Sequence, residues 1–345
     1  MNTDKRTEIS TLGEFRLIEK LTSEFKPQHS STIQGVGDDA AVLEYNEDKY
    51  SLVTTDMLLE GVDFDLTYFP LKHLGYKAIV ASCSNIYAMN GTPTSATVAI
   101  GVSAKFSVED LEELYSGIRA ACDDYGIDLV GGDTRASMTG LAITITTIGE
   151  VGKDKIVRRD GAKLHDLICI TRDLGAAFLG LKLLEREKIA LGGVKNGQPK
   201  FDGYEYLLRR QLKPEARRDV IEELAAQEII PTSMIDISDG LASELLHICK
   251  NSKCGARIYL ERMPIARETY KLAEELHLDP VTAALNGGDD HELLFTVPLA
   301  LQEKVAQLGY GVEIIGHITE ESTGAALVTP DGSTIELKAQ GFHGN

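Results

Sequence analysis

Long apolar runs, paired cysteines and a basic surplus are all missing from this chain. No stretch of 18 or more apolar residues occurs, and the best candidate, Thr94 to Ala104, is short and carries Thr and Ser. A membrane-spanning helix is therefore not expected. Met1 to Ser10 is polar and charged, without the apolar core of a signal peptide, so no export is implied. The five cysteines (Cys83, Cys122, Cys169, Cys249, Cys254) form no C-x-x-C pair, and four sit in apolar segments. That usage fits a reducing cytoplasm. Acidic residues outnumber basic ones 53 to 35, net −18, with no basic stripe to offset them. Nucleic acid and anionic membrane surfaces are thus poor partners. The eight histidines show no H-E-x-x-H spacing, which argues against zinc. A G-x-S-x-G elbow, the P-loop, and the protein-kinase set of Gly-rich loop, H-R-D and D-F-G are also absent.

What is present reads as a globular protein, 43% hydrophobic and 26% charged. At about 100–200 residues per domain, 345 residues predict two domains. Helical spacing covers Leu12 to Thr22 and Leu74 to Met89, and a Ser107 to Asp110 capping box opens a helix running to Tyr125. Strands are expected at Tyr50 to Thr55, ending at Asp56, and at Thr94 to Val102. Two more are expected at Ile127 to Val130, stopping at Gly131-Gly132-Asp133, and at Leu141 to Val151. The charged, Gly-bearing stretch Lys153 to Leu164 places a boundary near Gly152, giving segments 1-152 and 153-345. In the second segment, strands are expected at Leu167 to Thr171, Ser233 to Ile237 and Glu292 to Val297. Helices are expected at Gly175 to Glu187, Pro214 to Gln227 and Leu241 to Lys250, with a loop at Gly192 to Gly203. The mixture predicts two α/β or α+β domains.

Four turns repeat one chemistry: Gly37-Asp38-Asp39, Gly132-Asp133, Asp236-Ile237-Ser238-Asp239-Gly240 and Gly288-Asp289-Asp290. A fifth aspartate, Asp56, ends a Thr-rich strand. Turn preference alone accounts for any one of them. Together they need cations, because two charges about 4 Å apart repel by ~4 kcal/mol at an effective dielectric near 20. Oxygen-rich sites of this kind suit Mg²⁺ carrying a polyphosphate. Gly35 to Ala40 fits the loose pattern G-x-G-x-x-A, yet two carboxylates in that turn would oppose a bare pyrophosphate. Arg158-Arg159-Asp160-Gly161 is a basic spot whose guanidinium forks suit phosphate oxygens, or else a solvated linker.

In this order the motifs resemble the thiamine-monophosphate kinase family, within the superfamily of aminoimidazole ribonucleotide synthetase and selenophosphate synthetase. The resemblance rests on Gly13-Glu14-Phe15, Gly37-Asp38-Asp39-Ala40, Thr54-Thr55-Asp56, Glu60-Gly61-Val62, Gly75-Tyr76-Lys77-Ala78 and Gly131-Gly132-Asp133. It continues through Arg159-Asp160-Gly161-Ala162, Asp236 to Leu241 and Glu292-Leu293-Leu294-Phe295. It implies two α/β domains, the first pairing in a homodimer, and ATP-dependent phosphorylation of thiamine monophosphate to thiamine diphosphate with Mg²⁺. By the same resemblance, Asp39, Thr54, Thr55, Asp56, Asp133, Asp236 and Asp239 would hold metal, with Asn85 at a position where the family usually has Asp. Tyr115, Gly132, Asp133, Arg159 and Ser238 would bind ATP, and Asp63, Asp289 and Phe342 the acceptor. Asp56, Asp133, Arg159 and Asp239 would carry catalysis. Asp63 stands where the family commonly has His, and Asp289 and His291 where it has Glu and Tyr. Another ATP-using enzyme of the superfamily, or a catalytically impaired nucleotide-binding homologue, would share the aspartate frame.

Overall fold

Two sets of β-branched segments pair into two separate sheets in the computed structural model, which describes residues 14–192, 199–309 and 311–339. The first sheet contains β1 (Thr32–Gln34), β2 (Ala41–Leu43), β3 (Lys49–Leu59), β4 (Thr92–Val102), β5 (Asp128–Ala136) and β6 (Ala142–Gly152), in the order β1-β2-β3-β6-β4-β5. Its long antiparallel ladder runs from Lys49 opposite Gly152 to Leu59 opposite Ala142. The second sheet contains β7 (Leu167–Thr171), β8 (Ser233–Asp236), β9 (Cys254–Tyr259), β10 (Leu293–Val297), β11 (Val312–Glu320), β12 (Ala325–Val328) and β13 (Thr334–Glu336). Its order is β13-β12-β9-β11-β7-β10-β8, antiparallel except where β12 lies parallel to β9.

The helices are α1 (Glu14–Thr22), α2 (Leu71–Ala88), α3 (Val108–Tyr125), α4 (Ala176–Leu191) and α5 (Glu205–Leu212). They continue with α6 (Arg218–Ala226), α7 (Leu241–Ser252), α8 (Arg267–Leu276), α9 (Pro280–Asn286) and α10 (Gln302–Val305). Among the described residues, no helix is long and apolar enough to cross a membrane. Helix α3 opens on the expected box: Ser107 accepts from Asp110 N–H, and Asp110 accepts from Ser107 N–H. Helix α2 is buried along most of its length, between the first sheet, α3 and β8 of the second sheet. One hydrophobic core joins Ile143, Ile145 and Leu114 to Cys169, Met234 and Phe295, so both sheets share it. Each fully buried Leu, Ile or Phe in it contributes about 1.5–3 kcal/mol.

Several elements depart from the sequence expectations. Strand β3 runs past Asp56 to Leu59, and β5 runs through Gly131-Gly132-Asp133 to Ala136 instead of stopping there. Parallel pairing to β4, with Gly132 opposite Val98 and Asp133 opposite Ala99, keeps the glycines extended. The helix expected from Pro214 begins at Arg218, and a separate helix, α5, precedes it. The expected loop from Gly192 to Gly203 lies partly outside the described residues. Strands β9, β11, β12 and β13 were not anticipated.

Candidate active site

Three segments distant in sequence bring carboxylates together at the junction of the two sheets. The turn before β2 supplies Asp38 and Asp39, whose side chains are buried. Arg159 reaches Asp39 with two nitrogens, Nε to Oδ2 at 3.2 Å and Nη2 to Oδ1 at 2.5 Å, and its backbone N–H donates to Asp38 Oδ2 at 3.4 Å. This is the bidentate fork that guanidinium geometry favours. The arginine is held from behind. Ser252 Oγ donates to Arg159 O at 3.0 Å and accepts from Ala162 N–H at 3.1 Å. Gly161 lets the chain touch β8, since a Cβ there would lie 1.8 Å from Thr232 O. Burial pushes the Asp39 carboxyl up to about 7; Arg159 opposes this, while Asp236 and Asp38 add to it.

Strand β3 supplies Thr54 and Asp56 on one face. The two-residue period then sends Thr55 to the other face, where its Oγ1 meets Thr146 Oγ1 at 2.9 Å. Burial also raises the Asp56 carboxyl, with Asp236 adding to the shift. Asn85 on α2 donates Nδ2 to both oxygens of Asp56, at 3.1 and 3.2 Å. Asp236 ends β8 opposite Leu293. Beyond it the two acidic turns are laced together. Ser238 O accepts from Asp289 N–H at 2.7 Å, and Ile237 O accepts from His291 N–H at 2.8 Å. Gly288 adopts φ +72, and a Cβ on it would lie 2.4 Å from Ser238 O, so the contact requires glycine. The buried Glu244 accepts from Asp239 N–H at 2.9 Å, and burial raises its carboxyl well above the ordinary range.

Beside this cluster lies a second charged group. Lys77, buried in α2, places Nζ 2.8 Å from Asp289 Oδ2. Desolvation pulls the Asp289 carboxyl up, but Lys77 and His291 outweigh it and hold it low. Asp63 accepts from Leu59 N–H at 2.7 Å. Burial raises its carboxyl, Asp289 adds to the rise and Lys77 opposes it. His291, buried, stands between Asp236 at 3.9 Å and Asp289 at 3.7 Å. Glu292 anchors this loop by accepting from Arg210 Nη1 and Arg217 Nη1, each at 2.7 Å.

The structure therefore groups Asp39, Thr54, Asp56, Asn85, Arg159 and Asp236, and places Asp289 on Lys77 with Asp63 in electrostatic reach of both. Ser238 and Asp239 lie in the adjoining turn. It does not bring Gly132 and Asp133 there within one chain. Asp56 is aligned through Ile145 and Val98 with Gly132, three strand spacings away, or ~14 Å. Asp133 shares the opposite face with Met57, is 59% exposed and pairs with Arg135 at 3.1 Å. Tyr115 packs on the core from α3. Phe342 lies outside the described residues. Lys77, Glu244, Arg210 and Arg217 were missed from sequence; Lys77 did leave a signal, as the one charge between Leu74 and Met89.

Among the described residues no three Asp, Glu, His or Cys side chains form a ready-made metal cage. A cation that keeps its waters and takes phosphate oxygens does not need one. The donor set is hard carboxylate oxygen, and Asp39 and Asp56 are both destabilised as anions by burial, with Asp236 adding to it, so the residues fit Mg²⁺.

The comparisons with known proteins agree with this geometry. Residues 37–151 match the family model "AIR synthase related protein, N-terminal domain", and residues 175–329 match its C-terminal counterpart. The class is thus an AIR synthase related protein in both halves. Curated thiamine-monophosphate kinases are similar over nearly their full length. That of Bacillus subtilis is 31% identical, covering 96% of this chain and 99% of the relative, and that of Escherichia coli K12 is 32% identical, covering 96% and 97%. A solved structure described as AaThiL complexed with AMPPCP and TMP superimposes with a TM-score of 0.81 at 31% identity, covering 97% of this chain and 98% of that one. The chain belongs to the thiamine-monophosphate kinase family. Hydrogenase maturation protein HypE in complex with ATP, at 20% identity and a TM-score of 0.69, shares the fold.

Proposed function

We propose that this protein transfers the γ-phosphoryl group of ATP to the phosphate of thiamine monophosphate, yielding ADP and thiamine diphosphate, with Mg²⁺ as cofactor. The observation that carries the reading is the convergence of Asp39, Asp56 and Asp236 around Arg159, with a separate Lys77–Asp289 pair alongside. Asp39, Thr54, Asp56 and Asp236 would hold the metal, with Asp239 at its margin. Magnesium, when bound, supplies charge neutralisation at the β- and γ-phosphates. Ser238 and Arg159 would contact ATP, Arg159 being aimed by Asp38 and Asp39. Lys77, with Asp63 and Asp289, would orient the acceptor.

The acceptor phosphate is already an anion, so an oxygen of it attacks the γ-phosphorus without a base. The bond to the β-phosphate oxygen breaks, and the electron pair leaves with ADP. Catalysis reduces to alignment and charge placement. We assign the domains to 1-152 and 153-345. A second copy would cover the outer face of the first sheet, where Met57, Leu59, Val130 and Ile148 are exposed. In such a homodimer Gly132, Asp133 and Tyr115 would complete the nucleotide site. All five cysteines are free thiols, which fits a reducing cytoplasm. The test is to incubate purified protein with ATP, Mg²⁺ and thiamine monophosphate and measure thiamine diphosphate. Product with Mg²⁺ and none in excess chelator is expected; turnover undiminished by chelator would refute the metal role.

A further inference from the structure

Behind the Asp289 loop lies a pocket that the kinase reading does not use. Arg172, Tyr206, Arg209, Arg210, Lys213 and Glu215 line a cavity of about 230 Å³. Four lining cations stand out in a chain of net charge −18. Glu215 accepts from Arg172 Nη1 at 2.7 Å and also from Arg209. Glu292, behind the wall, takes Arg210. Asp290 Oδ1, 3.8 Å from Arg210 Nη2, and Asp173 also act on Arg210, so the guanidinium charges are offset and the ammonium of Lys213 remains. Lys213 meets no carboxylate among the described residues and lies 4.6 Å from the Tyr76 ring centroid. The Arg210 side chain is 5% exposed, and its buried Nε has no hydrogen-bond partner among the described residues.

Helix capping accounts for only part of this. Arg209 and Arg210 occupy the last turn of α5, where cations favour the helix dipole. Arg172, however, comes from the end of β7, and a side chain placed only for the dipole would be exposed, not buried with a free N–H. The pocket is separate from the carboxylate cluster. Gln211, the next residue on α5, points Nε2 at Asp289 from 3.5 Å, while Arg209, Arg210 and Lys213 line the pocket.

We propose that this pocket is a binding site for a small phosphate anion, distinct from the ATP and acceptor sites. Guanidinium forks and an ammonium match phosphoryl oxygens, and Lys213 leaves a positive charge for the anion. A cavity of this volume is smaller than the about 300–1,000 Å³ typical of larger ligands, which favours free phosphate or the phosphoryl end of a short ester over a nucleotide. Occupancy would be felt at the active site, because Arg210 also donates Nη2 to Asp173 O at 3.1 Å and to Asp290 O at 3.5 Å.

The experiment is calorimetric titration of the full chain, without ATP or Mg²⁺ and at low salt, with inorganic phosphate and separately with glycerol 3-phosphate. Native protein and the variants Arg159→Gln, Lys213→Gln and Arg209→Gln are compared. One equivalent bound per chain is expected, unchanged in Arg159→Gln and weakened about tenfold or more in each of the other two, as loss of a ~1.4 kcal/mol charge contact predicts. Binding of both probes identifies a terminal phosphoryl group as the recognised feature, and binding of phosphate alone identifies the free ion. Should Lys213→Gln fail to fold, Arg209→Gln decides, since that side chain is 65% exposed. Absence of binding at millimolar phosphate, or binding abolished by Arg159→Gln and indifferent to the pocket variants, would overturn the proposal.

Discussion

Replacing Asn85 by Asp turns the contact between α2 and β3 from attraction into repulsion. In the native chain the Asn85 amide donates to both Asp56 oxygens at 3.1 and 3.2 Å. A carboxylate at that distance would repel Asp56 by about 1 kcal/mol in water and about 5 kcal/mol at an effective dielectric near 20. Loss of a hydrogen bond to a charged acceptor adds about 1.5–3 kcal/mol. For this half-buried pair we expect a net loss of roughly 3 kcal/mol without metal, a fall in Tm of roughly 5 °C in a chain of this size. The pH dependence has a defined sign. Burial already holds the Asp56 carboxyl above its ordinary range, and a second carboxylate raises it further. A carboxyl with a raised folded pKa keeps its stabilising proton at low pH and loses it as pH rises through that pKa. The gap between Asn85→Asp and native should therefore open towards pH 8 and close towards pH 5, and Mg²⁺ should narrow it. Scanning calorimetry in chelator and in Mg²⁺ at both pH values reads this directly. Native turnover should already be substantial, since the proposed metal set of Asp39, Asp56 and Asp236 does not depend on a carboxylate at position 85. Equal melting of variant and native in chelator at pH 8, or strong activation by Asn85→Asp, would refute the reasoning.

Asp39, with its carboxyl raised to about 7, should make the metal-free protein less stable as pH rises from about 4 through 7. Asp39→Asn should flatten that slope, as melting curves in chelator would reveal. Lys77→Met should raise the acceptor KM about tenfold or more and leave the ATP KM nearly unchanged, if Lys77 and its partner Asp289 orient the acceptor as proposed; steady-state kinetics with each substrate varied checks this, and an equal rise in both would count against it. Sedimentation equilibrium at micromolar concentration should give twice the chain mass of 37.6 kDa; a mass of one chain would contradict the homodimer.

The sequence by itself determined the local events. The Ser107 to Asp110 box starts α3 where expected, because capping is a contact within one turn. The apolar spacing of Leu74 to Met89 announced a helix, and the alternation of Leu141 to Val151 announced a strand. The ordered aspartate turns marked the candidate site because their residue types are chemical, whatever the fold. Pairing between distant segments was decided only in three dimensions. Gly131 and Gly132 look like a turn until β4 holds them extended. Thr54, Thr55 and Asp56 look like one ligand set until the pleat of β3 turns Thr55 to the opposite face. Asp133 looks equivalent to Asp39 until strand order places it at the far edge of the sheet. Lys77 and Asp289, 212 residues apart, meet only because α2 reaches across to the second sheet. Side-chain identity fixes which chemistry a residue can perform, but strand order, register and helix crossing fix which residues can perform it together.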